Sequence, residues 1–395
     1  MLQLLLAASM LASAPSAGVY ARGVSSVYAG IEEYPAGRRY TEYYDTRTRR
    51  FGELRHVRGS QYETVQKPLL RFSLAAPLTA VVEERMSASD VQGALGFSLW
   101  HAPGARARAT VVLIHGSDDE TRDMGFLIPY FVAHGLNVVS YDQRGTGASV
   151  GDWHSASAGD KADDVLAILA EIAQNPAVDA KRIGVWGTSN GGWVAPIVAT
   201  RYPVAFMMLR SAPSQSVQSN VLFEIRQVLS ENRKFSAAQI AEALSFERTL
   251  FDSILTDSNW PRTQQLLEAD GAKPWLGYMR IPQNFTAPPS SELLERLQAI
   301  LGYDPAATLE KVRVPALALF GALDRNVDAA DSAKHFREYF NAGGLQDAIV
   351  QTFPNGDHVL EESVTGYLDR PKLPQRLVPG YPDVMITWLH AHGIR

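Results

Sequence analysis

The twelve residues Arg182-Ile-Gly-Val-Trp-Gly-Thr-Ser-Asn-Gly-Gly-Trp193 decide how this chain is read. They contain a Gly-x-Ser-x-Gly pentapeptide, Gly187-Thr188-Ser189-Asn190-Gly191, preceded by an apolar run and followed by a helix-like run from Trp193 to Tyr202. That context predicts a strand turning sharply into a helix with a serine at the corner. The flanking glycines have a steric reason, because a Cβ beside such a turn would drive the helix into the strand. The turn lifts the Ser189 hydroxyl above the sheet edge and sets it at a helix N-terminus, where unpaired N–H groups favour developing negative charge.

Strands and helices alternate outward from this corner. Thr110 to Ile114 and Leu136 to Tyr141 are apolar runs with both faces covered. Asp160 to Ala173 carries a helical stripe at Val165, Leu166, Ile168, Leu169 and Ile172. Ile183 to Trp186, Ala205 to Leu209, Ala316 to Phe320 and Ala348 to Phe353 read as further strands. Phe126 to Ala133, Ala329 to Phe340 (with Asp328 as N-cap) and Val384 to His392 read as helices. The pattern specifies an α/β fold with a mostly parallel, doubly wound sheet. Between Ala212 and Leu309 the alternation stops, and helical patterns at Val221 to Leu229, Ala237 to Leu255 and Glu292 to Leu301 are broken by Trp260-Pro261 and by 281–289. So long a stretch is more than a connecting loop and predicts a helical cap over the sheet edge; Trp260, Trp275, Tyr278 and Phe285 are candidates for lining a pocket, while each taken alone reads as core of the cap. Upstream, Ala80 to Val82 and Gly93 to Trp100 read as an antiparallel pair with a turn at Ser87 to Asp90.

A serine hydroxyl becomes a nucleophile only when a base takes its proton. His358, in Phe353-Pro-Asn-Gly-Asp-His358 just past the last strand, is the candidate base, and Asp324, just past the Ala316 strand, is the candidate acid that holds its tautomer. Asp357 reads as a brace for the loop and Asp328 as a helix cap. Asp142 and Arg144, in Tyr141-Asp-Gln-Arg-Gly-Thr-Gly-Ala-Ser149, read as ties between loops. The oxyanion donors are expected to be the N–H groups of Asn190 and Ser117, the latter in His115-Gly-Ser-Asp-Asp119, with His115 shaping that loop. Asp118, Asp119 and Glu120 predict a negative rim favouring a cationic or neutral substrate.

Composition narrows the classes. A chain of 395 residues, 46% hydrophobic and 20% charged, is ordinary for a globular protein with one large domain and an insertion or a smaller companion. A net charge of −5 gives no reason to expect nucleic acid or an anionic membrane surface as partner. With no cysteine, disulfides, thiol catalysis and Cys-ligated metals are excluded. Met1 to Leu11 is apolar, too short to span a membrane, and followed by small residues from Ala12 to Gly18, the form of a secretory segment, although no Lys or Arg precedes it. Export to the periplasm or medium is the expectation. Residues 19 to 78, rich in Tyr and Arg without clean periodicity, read as short solvated strands.

Together, His115-Gly116, Tyr141-Asp-x-Arg-Gly-x-Gly-x-Ser149, Gly187 to Gly192, Gly321-x-x-Asp324 and Gly356-Asp-His358 resemble the α/β-hydrolase superfamily from Thr79 to the C-terminus. The likeness is greatest to capped bacterial esterases with His-Gly-Ser followed by an Arg-Asp pair, here Arg122-Asp123, and weaker to prolyl-oligopeptidase-type domains. The resemblance implies acyl transfer by Ser189, His358 and Asp324 with no metal or organic cofactor, on a small acyl ester. The expected organisation is a signal segment at 1–17, a β-rich extension at 18–78, a core in two parts at 79–211 and 310–395, and a cap at 212–309. A peptidase, amidase or thioesterase is the alternative within the same chemistry. A fold that binds ligand without catalysis is the alternative outside it.

Overall fold

Val111 and Leu113 of one strand point into one apolar cluster while Val112 and Ile114 point into another, so the central sheet is covered on both faces. A computed structural model describes residues 17–22, 25–34, 38–75, 77–90, 92–104, 106–117, 119–231, 234–270, 273–279, 285–367 and 375–395. The export segment read at 1–17 lies outside them except for Ala17.

The chain opens with seven strands: β1 (Gly18–Arg22), β2 (Ser25–Tyr34), β3 (Arg38–Asp45), β4 (Arg50–Arg58), β5 (Gln61–Thr64), β6 (Arg71–Ser73) and β7 (Thr79–Ala80). They form an antiparallel sheet in the order β6-β5-β4-β3-β2-β1-β7. The reading of solvated strands is corrected here. Tyr43 and Tyr44 are adjacent and therefore face opposite sides, yet both are buried. Tyr44 packs 5.2 Å from Phe126, while Tyr43 joins Tyr20, Leu54, Tyr62 and Phe72 in a cluster of the sheet's own. Burial on both faces erases the alternation that would have marked the strands. Arg50 is buried too, its guanidinium donating to the carbonyls of Pro68 (2.5 Å) and Gln66 (2.9 Å).

The second sheet holds β8 (Val82–Asp90), β9 (Gly93–His101), β10 (Arg108–Ile114), β11 (Asn137–Tyr141), β12 (Val178–Thr188), β13 (Met207–Arg210), β14 (Ala316–Gly321) and β15 (Ala348–Phe353). Its order is β15-β14-β13-β12-β10-β11-β9-β8, parallel from β11 to β15 with the antiparallel β8–β9 hairpin at one edge. The hairpin corrects the sequence reading, because Ser87 to Asp90 is strand and the turn follows it. Asp90 ends the strand by accepting the N–H groups of Gln92 (2.8 Å) and Gly93 (3.1 Å) on Oδ1.

Helices α1 (Leu127–Ala133), α2 (Ala158–Ile172) and α3 (Gly191–Arg201) follow β10, β11 and β12. A capping box, Ser157 with Asp160, starts α2 two residues before the acids that marked it in the sequence. Between β13 and β14 lie α4 (Val217–Glu231), α5 (Ala237–Thr256), α6 (Trp260–Asp270), α7 (Ser291–Leu301) and the short α8 (Ala306–Leu309). The Trp260-Pro261 break starts α6, a helix the sequence pattern missed: proline is tolerated in a first turn, where its absent N–H costs nothing. Finally α9 (Ala329–Ala342), capped by Asp328 as expected, and α10 (Asp383–Ala391) complete the layers. Helices α2, α3 and α9 bury one sheet face and α1 and α10 the other. Each fully buried Val, Leu, Ile or Phe there contributes ~1.5–3 kcal/mol. The inserted helices have a third cluster of their own, built on Leu229, Phe246, Leu250 and Trp275, which meets the core at Trp193 of α3.

Candidate functional site

Strand β12 ends at Thr188 and α3 begins at Gly191, and because Asn190 already has helical dihedrals (φ −55°), Ser189 makes the corner. It does so at φ 51°, a left-handed conformation that costs a non-glycine residue about 1–3 kcal/mol and must be held by its surroundings. Two hydrogen bonds hold it: its N–H donates to the Arg210 carbonyl (3.0 Å) and its carbonyl accepts from Gly192 N–H (2.7 Å). A Cβ on Gly187 would strike the Gly191 carbonyl, and one on Gly191 would lie 2.5 Å from the His115 oxygen. The glycines on both sides of the serine are thus required by the close approach of α3 to the ends of β10 and β12.

Parallel neighbours β12, β13, β14 and β15 deliver their following loops to one sheet edge. Asp324 sits in the turn after β14, and the N–H groups of Asn326 (2.8 Å) and Val327 (2.9 Å) donate to its Oδ1. With that oxygen fixed, Oδ2 is aimed at His358, whose Nδ1 lies 2.8 Å away. The Asp324 side chain is wholly buried and His358 keeps 18% of its side chain exposed. Burial alone would lower the His358 pKa, and the Arg210 charge works the same way. The charge and hydrogen bond of Asp324 outweigh them, so the ring sits above its ordinary 6.5. Asp357 is not the partner: its Oδ1 accepts Val359 and Glu361 N–H (3.0 Å each) and braces the loop. Asp142 pairs with Arg122, and Arg144 pairs with Asp90 and Asp164, the loop ties expected of them.

Two supports of this edge were not foreseen. Ser211, directly after β13 at φ 49°, donates its hydroxyl to the His358 carbonyl (2.7 Å). The amino-terminal sheet reaches the same loop through Arg49, whose Nη1 donates to Glu362 Oε1 (2.8 Å) and to the Leu377 carbonyl (2.6 Å), while Leu377 N–H returns to the Arg49 carbonyl (2.9 Å). Neither carries a local sequence signal, because the pairings span 147 and more than 300 residues.

The loop after β10 is built around His115. Its Nδ1 lies 2.9 Å from Glu120 Oε2 and its Nε2 lies 2.5 Å from the Tyr141 carbonyl, so the ring shapes the loop. Glu120 also accepts Gly116 N–H (3.2 Å). Burial would raise the Glu120 carboxyl, but these contacts hold it below its ordinary value. This corrects the expected negative rim at Glu120, while Asp119 stays 46% exposed. Glu120 turns inward, Asp119 accepts the Trp153 indole N–H (2.5 Å), and Asp118 lies outside the described residues. Ser117 and Asn190 face one cavity with Ser189, and among the described residues neither of their N–H groups is donated to a protein acceptor.

That cavity measures about 690 Å³. The elbow forms its floor, Val217, Leu250, Phe251, Ile254, Leu297 and Ile300 of α4, α5 and α7 form its apolar side, and Asp152 to Ala156 with Lys161 form a polar corner. Of the aromatic residues, those read as core of the inserted helices are so: Trp275 is buried against Phe246, and Trp260 and Phe285 pack into the helices' own cluster. Large rings were needed to glue the inserted helices together, which left aliphatic positions for the cavity. The Trp153–His154 pair in the polar corner was also missed, although it follows the Asp-Gln-Arg-Gly turn by only a few residues.

A family model described as serine aminopeptidase, S33, matches residues 105–362. The chain belongs to this family. It is a hydrolase of the α/β-hydrolase superfamily, whose fold the two layers around the parallel sheet display. Similarity to solved structures is distant. A 2,6-dihydroxy-pseudo-oxynicotine hydrolase is 15% identical over 70% of this chain and 62% of its own, so the chain spans less than two thirds of it (TM-score 0.44). A Pyrococcus furiosus esterase is 14% identical over 78% and 91% (TM-score 0.47), and DcsB, solved with a substrate analogue, 19% over 79% and 100% (TM-score 0.47). No curated protein sequence matches. Among the described residues, no helix is long and apolar enough to cross a membrane.

Proposed function

We propose that this S33-family hydrolase cleaves carboxylic esters with an apolar acyl group, through an acyl-enzyme on Ser189. The observation that carries the reading is the position of Ser189: a strained corner opening into an aliphatic cavity, on the sheet edge that also bears the His358–Asp324 pair. In the proposed reaction His358 Nε2 takes the Ser189 hydroxyl proton as Oγ bonds to the ester carbonyl carbon. The N–H groups of Ser117 and Asn190 stabilise the resulting oxyanion. Collapse breaks the bond to the alcohol oxygen, which leaves with the proton from His358. Water then attacks the acyl carbon, gives its proton to His358 and releases Ser189 and the acid. The inserted helices act as a cap that excludes bulk water and receives the acyl chain, and a cavity of this volume suits a drug-sized apolar group.

One observation favours a second reading, release of an amino-terminal residue from a peptide. Glu224 and Glu247 stand in the cavity wall, a charge suited to an α-ammonium. A p-nitrophenyl ester series from acetate to palmitate, run beside aminoacyl p-nitroanilides with wild type and Ser189→Ala, separates the two. The account expects serine-dependent ester turnover with a medium- or long-chain optimum. Turnover of the anilides alone would favour the second reading, and ester turnover undiminished in Ser189→Ala would remove the nucleophile from this position.

A further inference from the structure

The loop from His115 to Glu120 is pinned at its two ends by His115, Glu120 and Gln143, whose Nε2 donates to the Gly116 carbonyl (3.1 Å). Between those ends, among the described residues, it is tied outside itself at Asp119, whose Oδ1 accepts the Trp153 indole N–H (2.5 Å) and lies 3.7 Å from His154 Nε2. Asp119 is 46% exposed, so this bond satisfies no buried carboxylate and adds little stability. What it supplies is position, two residues beyond Ser117.

The indole is itself held. The His154 ring stacks on it at 4.0 Å and 27°, and the Lys161 ammonium lies 5.0 Å above it. Trp153 N–H donates to the Arg144 carbonyl (3.1 Å), which roots the turn in the buried Arg144 cluster. The turn Trp153–Ser155 also lies against α7, and both Trp153 and Ser117 line the cavity. One side chain therefore touches the substrate space, a turn packed on an inserted helix, and the loop bearing an oxyanion donor.

We propose that Trp153 is a positioning residue for the oxyanion loop and couples the seating of α7 over the cavity to the placement of the Ser117 N–H. The inference rests on Ser189 being the nucleophile. Trp153→Phe removes the indole donor and leaves a smaller aromatic ring in the stack with His154. It should lower kcat for a p-nitrophenyl ester about tenfold, less than the ~10²–10³ lost with an oxyanion donor itself, and leave KM within about twofold. Affinity for an alkyl boronic acid, which mimics the tetrahedral state, should fall by the same factor as kcat/KM. Asp119→Asn retains an acceptor and should behave as wild type. Asp119→Ala should match Trp153→Phe, and the double variant should be no worse than either single change.

A merely structural tryptophan would lower the melting temperature without moving boronate affinity. Wild-type kcat and boronate affinity in Trp153→Phe, or a loss confined to KM, overturns the proposal. If Trp153→Phe folds poorly, the two Asp119 variants test the same bond from its exposed end, and a wild-type Asp119→Ala overturns it equally. A wild type with no Ser189-dependent turnover and no boronate binding would instead bring down the functional reading beneath it.

Discussion

His358 Nδ1 lies 2.8 Å from Asp324 Oδ2 across two parallel-strand loops that are 34 residues apart in sequence. Because the other Asp324 oxygen is occupied by two backbone N–H groups, the carboxylate has one orientation and the imidazole one tautomer. Asp324→Asn should cost ~10⁴ in kcat by misorienting the ring. Asp357→Asn keeps an acceptor for its two backbone donors and should cost much less. Steady-state kinetics on one ester decide it, and a larger loss in Asp357→Asn would mean the pairing is wrong.

The pH profile follows from the same contact. As the proposed base His358 would work only when neutral, and its pKa is raised, so the acid limb of kcat/KM should have its midpoint above 6.5. Asparagine at 324 removes the charge and hydrogen bond that chiefly raise it and leaves burial and Arg210, which lower it, opposed by the weaker effect of the Asp357 charge. The residual activity of Asp324→Asn should therefore show an acid limb displaced to lower pH. An unmoved limb would assign the titration to another group.

Ser211→Ala deletes the hydroxyl of a fully buried serine that donates to the part-buried His358 carbonyl. An acceptor left unpaired there costs about 1–3 kcal/mol, to be read as a lower midpoint in urea unfolding. Activity should fall as well, because the carbonyl belongs to the proposed base. Unchanged stability and rate would show that the hydroxyl is dispensable.

Leu297→Trp fills the aliphatic side of the cavity from α7 without touching the elbow. The chain-length optimum should move to shorter esters while acetate hydrolysis is retained. A uniform loss across the series would place the acyl group elsewhere.

Arg144 faces two carboxylates, and one guanidinium cannot keep both ionised. Burial pushes Asp164 up to about 8, whereas Asp90 stays below its ordinary value. A carboxyl with a raised folded pKa gives stability that is fully present below its unfolded pKa and lost as pH rises towards the folded one. Wild-type stability should carry this declining component between about pH 4 and pH 8, and Asp164→Asn, a permanent mimic of the protonated acid, should flatten it. Melting temperatures across that range provide the comparison, and parallel curves for the two proteins would contradict the assignment.

The central strands and the elbow were legible because parallel strands buried on both faces are continuous apolar runs, and the Gly-x-Ser-x-Gly corner is a local steric requirement. Asp324 and His358 were legible because each follows its strand directly. Adjacent Tyr43 and Tyr44, buried on opposite faces, concealed the amino-terminal sheet. Glu120 looked like a rim charge until His115, five residues away, was seen to turn it inward. The lining of the cavity was not legible for a related reason: which apolar side chains of α4 to α7 face the elbow depends on how those helices pack on one another, and periodicity alone does not encode it.

The most direct test of the account is covalent trapping. A fluorophosphonate should label the wild-type protein once, with the adduct mapped by peptide mass spectrometry to Ser189, at a rate that collapses in His358→Ala. An adduct on another serine, or labelling that persists in Ser189→Ala, would contradict it.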